Sequence, residues 1–135
     1  MKIMALDLGD AWIGVALTDP LRFFAKPHTT VATAELECFL KKIFTQEKIS
    51  IVVVGYPKTM QGKESAQTIK IVTLKKELEQ QYPDQQWILW DERLSSKQAS
   101  VIKKVKNKQD KLEQHAIAAA IILQSYLPIA TSDQN

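Results

Sequence analysis

The apolar residues of this chain change their period once, and that change restricts the fold more than any other feature. Ile3 to Leu8 alternates across two faces, with Ile3, Ala5 and Asp7 on one side and Met4, Leu6 and Leu8 on the other, as a strand requires. Gly9-Asp10 supplies a turn and Ile13 to Leu17 a second strand, so a hairpin is predicted. After the Asp19-Pro20 turn, Phe23 to Val31 reads as a third strand, which Pro27 confines to an edge because proline cannot donate to a ladder. Beyond it, helical stripes alternate with short apolar runs. Thr33 is the predicted N-cap of a helix whose inner stripe is Leu36, Phe39, Leu40, Ile43 and Phe44. Ile49 to Val54 then reads as a strand covered on both faces, and Glu64 to Gln81 as a helix with Ile71, Leu74 and Leu78 inward. Trp87 to Trp90 forms the next strand and ends in Asp91-Glu92. Ser95 with Gln98 looks like a capping box opening a helix, Asp110 with Glu113 repeats the device for the last one, and Pro128 should stop it. The order β-β-β-α-β-α-β-α-α predicts an α/β fold: one mixed five-stranded sheet with helices on both faces.

At 135 residues the chain suits one domain, expected over residues 1–130, with a loose polar tail over 131–135. Eighteen Lys and Arg against fifteen Asp and Glu leave a net charge of +3, which permits a polyanionic partner without requiring one. Cys38 is the only cysteine, so no internal disulfide forms, and a reducing cytoplasm is the expected compartment. Neither the amino-terminal stretch nor the block from Ala116 to Leu123 approaches the roughly 20 apolar residues of a bilayer span, so no membrane association is expected.

Asp7 is the most informative position. A carboxylate inside an apolar strand loses hydration unless a partner or a cation compensates it, although an Asp before Gly9-Asp10 also suits a hairpin cap. Glu92 follows the Trp87–Trp90 strand at the kind of edge where open α/β sheets place ligands; pairing with Arg93 is the plainer reading, and Asp91 competes with it. His115 lies on the last helix just before Ala118-Ala119-Ala120, small residues that let a helix approach a sheet closely; a lone helical His is more often a packing residue. Glu113 is explained by capping. Two carboxylates and an imidazole suit divalent metal ions, which activate water and neutralise the leaving oxygen of a phosphodiester. Lys103, Lys104 and Lys106, continued by Lys108 and Lys111, form the densest basic run, suited either to a phosphate backbone or to a solvated face. The segment from Gly55 to Lys63, with Gly62 and Lys58, resembles an anion-handling loop but has no G-x-x-x-x-G-K-[ST] pattern, which excludes a nucleotide P-loop.

Ala5-Leu6-Asp7-Leu8-Gly9 leading to Ile13-Gly14-Val15-Ala16, then Val53-Val54-Gly55-Tyr56-Pro57 with Gly62, then Asp91-Glu92-Arg93-Leu94-Ser95-Ser96, then Ala118-Ala119 and Ile122 to Leu127, together resemble the YqgF family in order and spacing over nearly the whole chain. That resemblance implies an RNase H-like fold related to RuvC-type resolvases. It also implies a nuclease using Mg2+ or Mn2+, acting in 5′-end maturation of pre-16S rRNA. Asp7 matches the family's first acidic ligand and Glu92 the acid of its D-E-R motif, with Arg93 beside it. The family's third acid opens a D-x-x-A-A segment, where this chain has His115-Ala116-Ile117-Ala118-Ala119. The resemblance therefore implies Asp7 and Glu92 as catalytic metal ligands, with His115 in the place of the third; the candidate substrate contacts are Lys58, Lys63, Arg93, Lys103, Lys104 and Lys106. Replacing a carboxylate by imidazole penalises magnesium more than manganese. Trp12 stands where the family has Arg, exchanging a phosphate contact for an indole able to stack on a base. The expected partner is RNA, with branched DNA as the alternative, and the expected state a monomer or weak homodimer. Two other classes are a nucleic-acid-binding module without turnover and an ATP-handling relative of the sugar kinases, for which one lobe is too little.

Overall fold

A computed structural model describes residues 1–9, 11–56, 66–91 and 108–133. Strand β1 (Lys2–Leu8) is followed by β2 (Trp12–Thr18) and β3 (Ala25–Ala32), a 3₁₀ turn at Thr33–Glu35, α1 (Leu36–Gln46), β4 (Ile49–Tyr56), α2 (Ala66–Gln81), β5 (Gln86–Asp91) and α3 (Lys108–Asp133). The sheet order is β3-β2-β1-β4-β5. The first three strands are antiparallel, whereas β1, β4 and β5 are parallel, so their carboxyl ends share one edge with the start of β2.

Strand alternation splits the core. Met4, Leu6, Val52 and Val54 face Leu36, Leu40 and Ile43 of α1 and Ile71 and Leu78 of α2. The predicted stripes are these residues, with Phe39, Phe44 and Leu74 partly buried beside them. Phe44, Tyr82 and Trp87 close this side as an aromatic group, with Phe44 and Tyr82 ring centres 4.9 Å apart and the Trp87 indole donating to the Tyr82 carbonyl at 3.0 Å. On the other face Ile3, Ala5, Ala16 and Val53 pack against Ala119, Ile122, Leu123, Tyr126 and Leu127 of α3. Trp90 meets Tyr126 edge-on at 5.5 Å. Each fully buried Leu or Ile contributes roughly 1.5–3 kcal/mol, so both helical layers are anchored mainly by burial.

Four local expectations are corrected. Strand β3 begins at Ala25, not Phe23, because the Asp19 carboxylate captures the Phe23 and Phe24 amides at 2.9 and 2.7 Å. Pro27 does lie on the edge strand, where the register slips between Val15 and Ala16 and leaves His28 without an opposite residue. Thr33 does not cap a helix. Its hydroxyl donates instead to the Gly9 carbonyl at 3.0 Å and its amide to Ala11, which fastens the end of β3 to the first turn, and α1 starts only at Leu36. Helix α3 starts at Lys108, ahead of the predicted cap at Asp110, and it passes through Pro128 to Asp133, taking in Thr131–Asp133 of the expected tail. An interior proline removes one helical N–H, the one directed at residue 124, and the buried turn containing Leu123, Tyr126 and Leu127 carries the helix past that loss. The helix predicted from Ser95 lies outside the described residues.

Candidate active site

Asp7 sits near the end of β1, partly buried, on the face it shares with Ile3 and Ala5, and therefore beneath α3. Its cross-strand partner is Gly14 of β2. Partners across an antiparallel pair have Cα atoms about 4.5–5.5 Å apart. A Cβ on Gly14 would lie 1.8 Å from the His115 carbonyl oxygen and 2.9 Å from the Ala116 nitrogen, so the main chain of α3 rests directly on this glycine. In the sequence, Ala118–Ala120 are the residues that predict this close approach. Ala119 and Ala120 do pack on the sheet, but the tightest contact is one turn earlier and is made by the missing side chain of Gly14. A glycine inside a strand is the signal that marks such an approach.

The result places the main chain of His115 on the cross-strand neighbour of Asp7. Trp12 begins β2 on the same face by alternation, diagonal to Asp7 at the distance of about 7–8 Å that large side chains span, and is 36% exposed. A Cβ on Gly9 would meet the Trp12 carbonyl oxygen at 2.6 Å, so only glycine fits where the chain leaves β1 here. Strand β5 ends two strands away, about 10 Å across the sheet, with Trp90 paired to Gly55 and Asp91 to Tyr56. Ile88 and Trp90 belong to the α3 side, so alternation sends Asp91 with Leu89 to the opposite face, away from Asp7. Glu92 lies outside the described residues, as do Lys58, Lys63, Arg93, Lys103, Lys104 and Lys106. Among the described residues no three His, Cys, Asp or Glu side chains form a metal-binding group.

A cleft of about 510 Å³, which no pattern in the sequence signals, lies between β3 and α3, lined by Pro27, His28, Thr29, Thr30, Glu113, Ala116 and Ile117. Ala116 borders both this cleft and the Gly14 contact, so the cleft opens beside the Asp7–His115 position. Asp7 and His115 are both partly exposed residues, and a carboxylate oxygen and an imidazole nitrogen are donor types that suit a divalent cation.

A mixed sheet in the order β3-β2-β1-β4-β5, with helices on both faces and an aspartate near the end of its first strand, defines the RNase H-like class of α/β proteins. Within it, the family described as RuvX, Holliday junction resolvase, matches residues 1–128, and the chain belongs to that family, which bears out the YqgF resemblance. A relative from Christiangramia forsetii is 40% identical over 131 residues, covering 93% of this chain and 97% of its own. Another from Rubrobacter xylanophilus is 34% identical over 129 residues, covering 95% and 93%. Both carry the name "Putative pre-16S rRNA nuclease". The fold is shared with T. thermophilus RuvC in complex with Holliday junction substrate, at a TM-score of 0.60, 12% identity and 97% coverage of both chains.

Proposed function

We propose that this protein is a divalent-metal-dependent nuclease that hydrolyses phosphodiester bonds in RNA during 5′-end maturation of pre-16S rRNA. The observation that supports this reading is the stacking of the α3 main chain at His115 on Gly14, the cross-strand neighbour of Asp7, near the edge where β1, β4 and β5 end. The names of the relatives supply the substrate. Asp7 and His115 would hold the ion, with Glu92 as the third ligand. Glu92 is preferred to Asp91 because Asp91 follows Leu89 onto the far face of the sheet. When bound, Mg2+ or Mn2+ supplies Lewis acidity for water attack and neutralises the leaving oxygen. Asp7 orients the attacking face by its fixed place on a central strand, and the indole of Trp12 stacks on an unpaired base beside the scissile bond. Lys58, Lys63, Arg93, Lys103, Lys104 and Lys106 compensate backbone charge. Among the described residues no helix is long and apolar enough to cross a membrane, and exposed Cys38 suits the reducing cytoplasm in which we place the protein. A monomer or weak homodimer meets the needs of single-strand cleavage.

The family description favours a second reading, resolution of four-way DNA junctions. Side-by-side assays on a pre-rRNA fragment and a four-way junction separate the two. Manganese-supported cleavage of the RNA is expected, and Asp7→Asn should reduce it at least about a hundredfold. Full activity of that variant would remove the proposed site, and paired incision of the junction without RNA cleavage would select the second reading.

A further inference from the structure

We propose that the turn joining β2 to β3 is a second nucleic-acid contact, where exposed aromatic rings stack on unpaired bases at the end of the sheet opposite Asp7. Leu21, Phe23 and Phe24 are 73%, 66% and 66% exposed, a concentration of apolar surface on one short turn that is uncommon unless something binds it. The turn is rigid. The Asp19 carboxylate accepts the amides of Leu21, Phe23 and Phe24 at 3.1, 2.9 and 2.7 Å. Arg22 adopts a left-handed backbone at φ 63°, unfavourable for a residue other than glycine. Its guanidinium holds that conformation by donating to the Met1 carbonyl and the Ser50 hydroxyl, each at 2.7 Å. The Ala25 amide, donating to the Gln124 side chain of α3 at 3.1 Å, fastens the far end. Rings on a fixed frame lose little freedom on binding.

Charge decides the ligand. Both acceptors of Arg22 are neutral, so its positive charge is not compensated by them. Lys26 follows the rings on the same strand end, and exposed Lys48 adjoins the start of β1 through its carbonyl, which accepts the Lys2 amide at 2.7 Å. Lys2 is neutralised by Glu47 at 2.9 Å. Against these three cations the turn itself carries one carboxylate, Asp19, already engaged by three amides. Two copies meeting through this surface would oppose like charges, whereas cations around aromatic faces match the backbone and bases of single-stranded nucleic acid. Strand β1 separates the turn from Asp7 by about 17–20 Å, so one unpaired strand several nucleotides long reaches both. The nature of the ligand rests on the nuclease reading, and the contact is tested without turnover so that the two can fail separately.

The test uses full-length Asp7→Asn protein without metal and a fluorescein-labelled oligouridylate of about fifteen nucleotides, followed by anisotropy. Adding Phe23→Ser with Phe24→Ser should weaken binding about tenfold or more, and Phe23→Tyr with Phe24→Tyr should retain it. Lys26→Gln with Lys48→Gln, which leaves the rings in place, should lower the slope of log affinity against log salt by about 1.4. Unchanged affinity in the serine variant or unchanged slope in the glutamine variant would overturn the proposal. So would sedimentation showing a wild-type dimer that the serine variant splits, since the rings would then serve self-association. Whether the wild type cleaves RNA in manganese bears on the nuclease reading alone.

Discussion

If residue 115 holds the proposed ion, a single donor atom type there separates two metal preferences. A carboxylate there would bring negative charge and hard oxygen, whereas an imidazole offers a neutral nitrogen. Because the α3 main chain is pinned to Gly14, a substitution at 115 changes the donor without moving the helix. His115→Asp is therefore expected to raise cleavage in magnesium by about tenfold or more relative to manganese, read as the ratio of initial rates in the two ions. Binding without turnover in both the wild type and the His115→Asp variant would instead place this chain among non-catalytic binding modules. Asp19 makes a second residue-scale case. Its carboxyl is held below the ordinary 3.8, foremost by the Phe24 amide and also by those of Leu21 and Phe23, against a weaker opposing effect of lost hydration. The folded turn thus favours the ionised form, and its contribution is complete above pH 3.8 and lost as pH falls through the depressed value. The amide resonances of Leu21, Phe23 and Phe24 should titrate together below pH 3.8, and Asp19→Asn should abolish that titration. A common midpoint at or above 3.8 would count against the carboxylate as the clasp.

Elements differ in how openly they are written. The α1 stripe is readable because one helical face is apolar over its length, and the β4 run because it is apolar on both faces of the sheet. Pro27 marked the edge strand for the same local reason. Thr33 and Pro128 misled because the competing partners are distant: Thr33 finds the Gly9 carbonyl 24 residues away, and Pro128 is overridden by burial of the preceding turn. The contact between α3 and β2 is the element-scale feature on which the site depends. Gly14→Ala places a methyl against the His115 carbonyl, a backbone atom that cannot rotate away, so the helix must lift. A loss of about 1–3 kcal/mol in urea unfolding is expected, together with weaker manganese binding by calorimetry. An unchanged midpoint would mean that α3 does not rest on the glycine.

For the whole molecule, the amino-acid sequence by itself determined the number of strands, the helices that cover the sheet, the edge position of β3 and the candidacy of Asp7, because all of these follow from local period, proline chemistry and the cost of burying a carboxylate. Only the tertiary structure decided that α3 lies on Gly14 and not chiefly through its alanines, that Asp91 turns away from Asp7, and that Phe23 and Phe24 leave the ladder to stand exposed beside Leu21. Those outcomes depend on register between strands and on hydrogen bonds closed across long stretches of chain, and neither is encoded in any one segment.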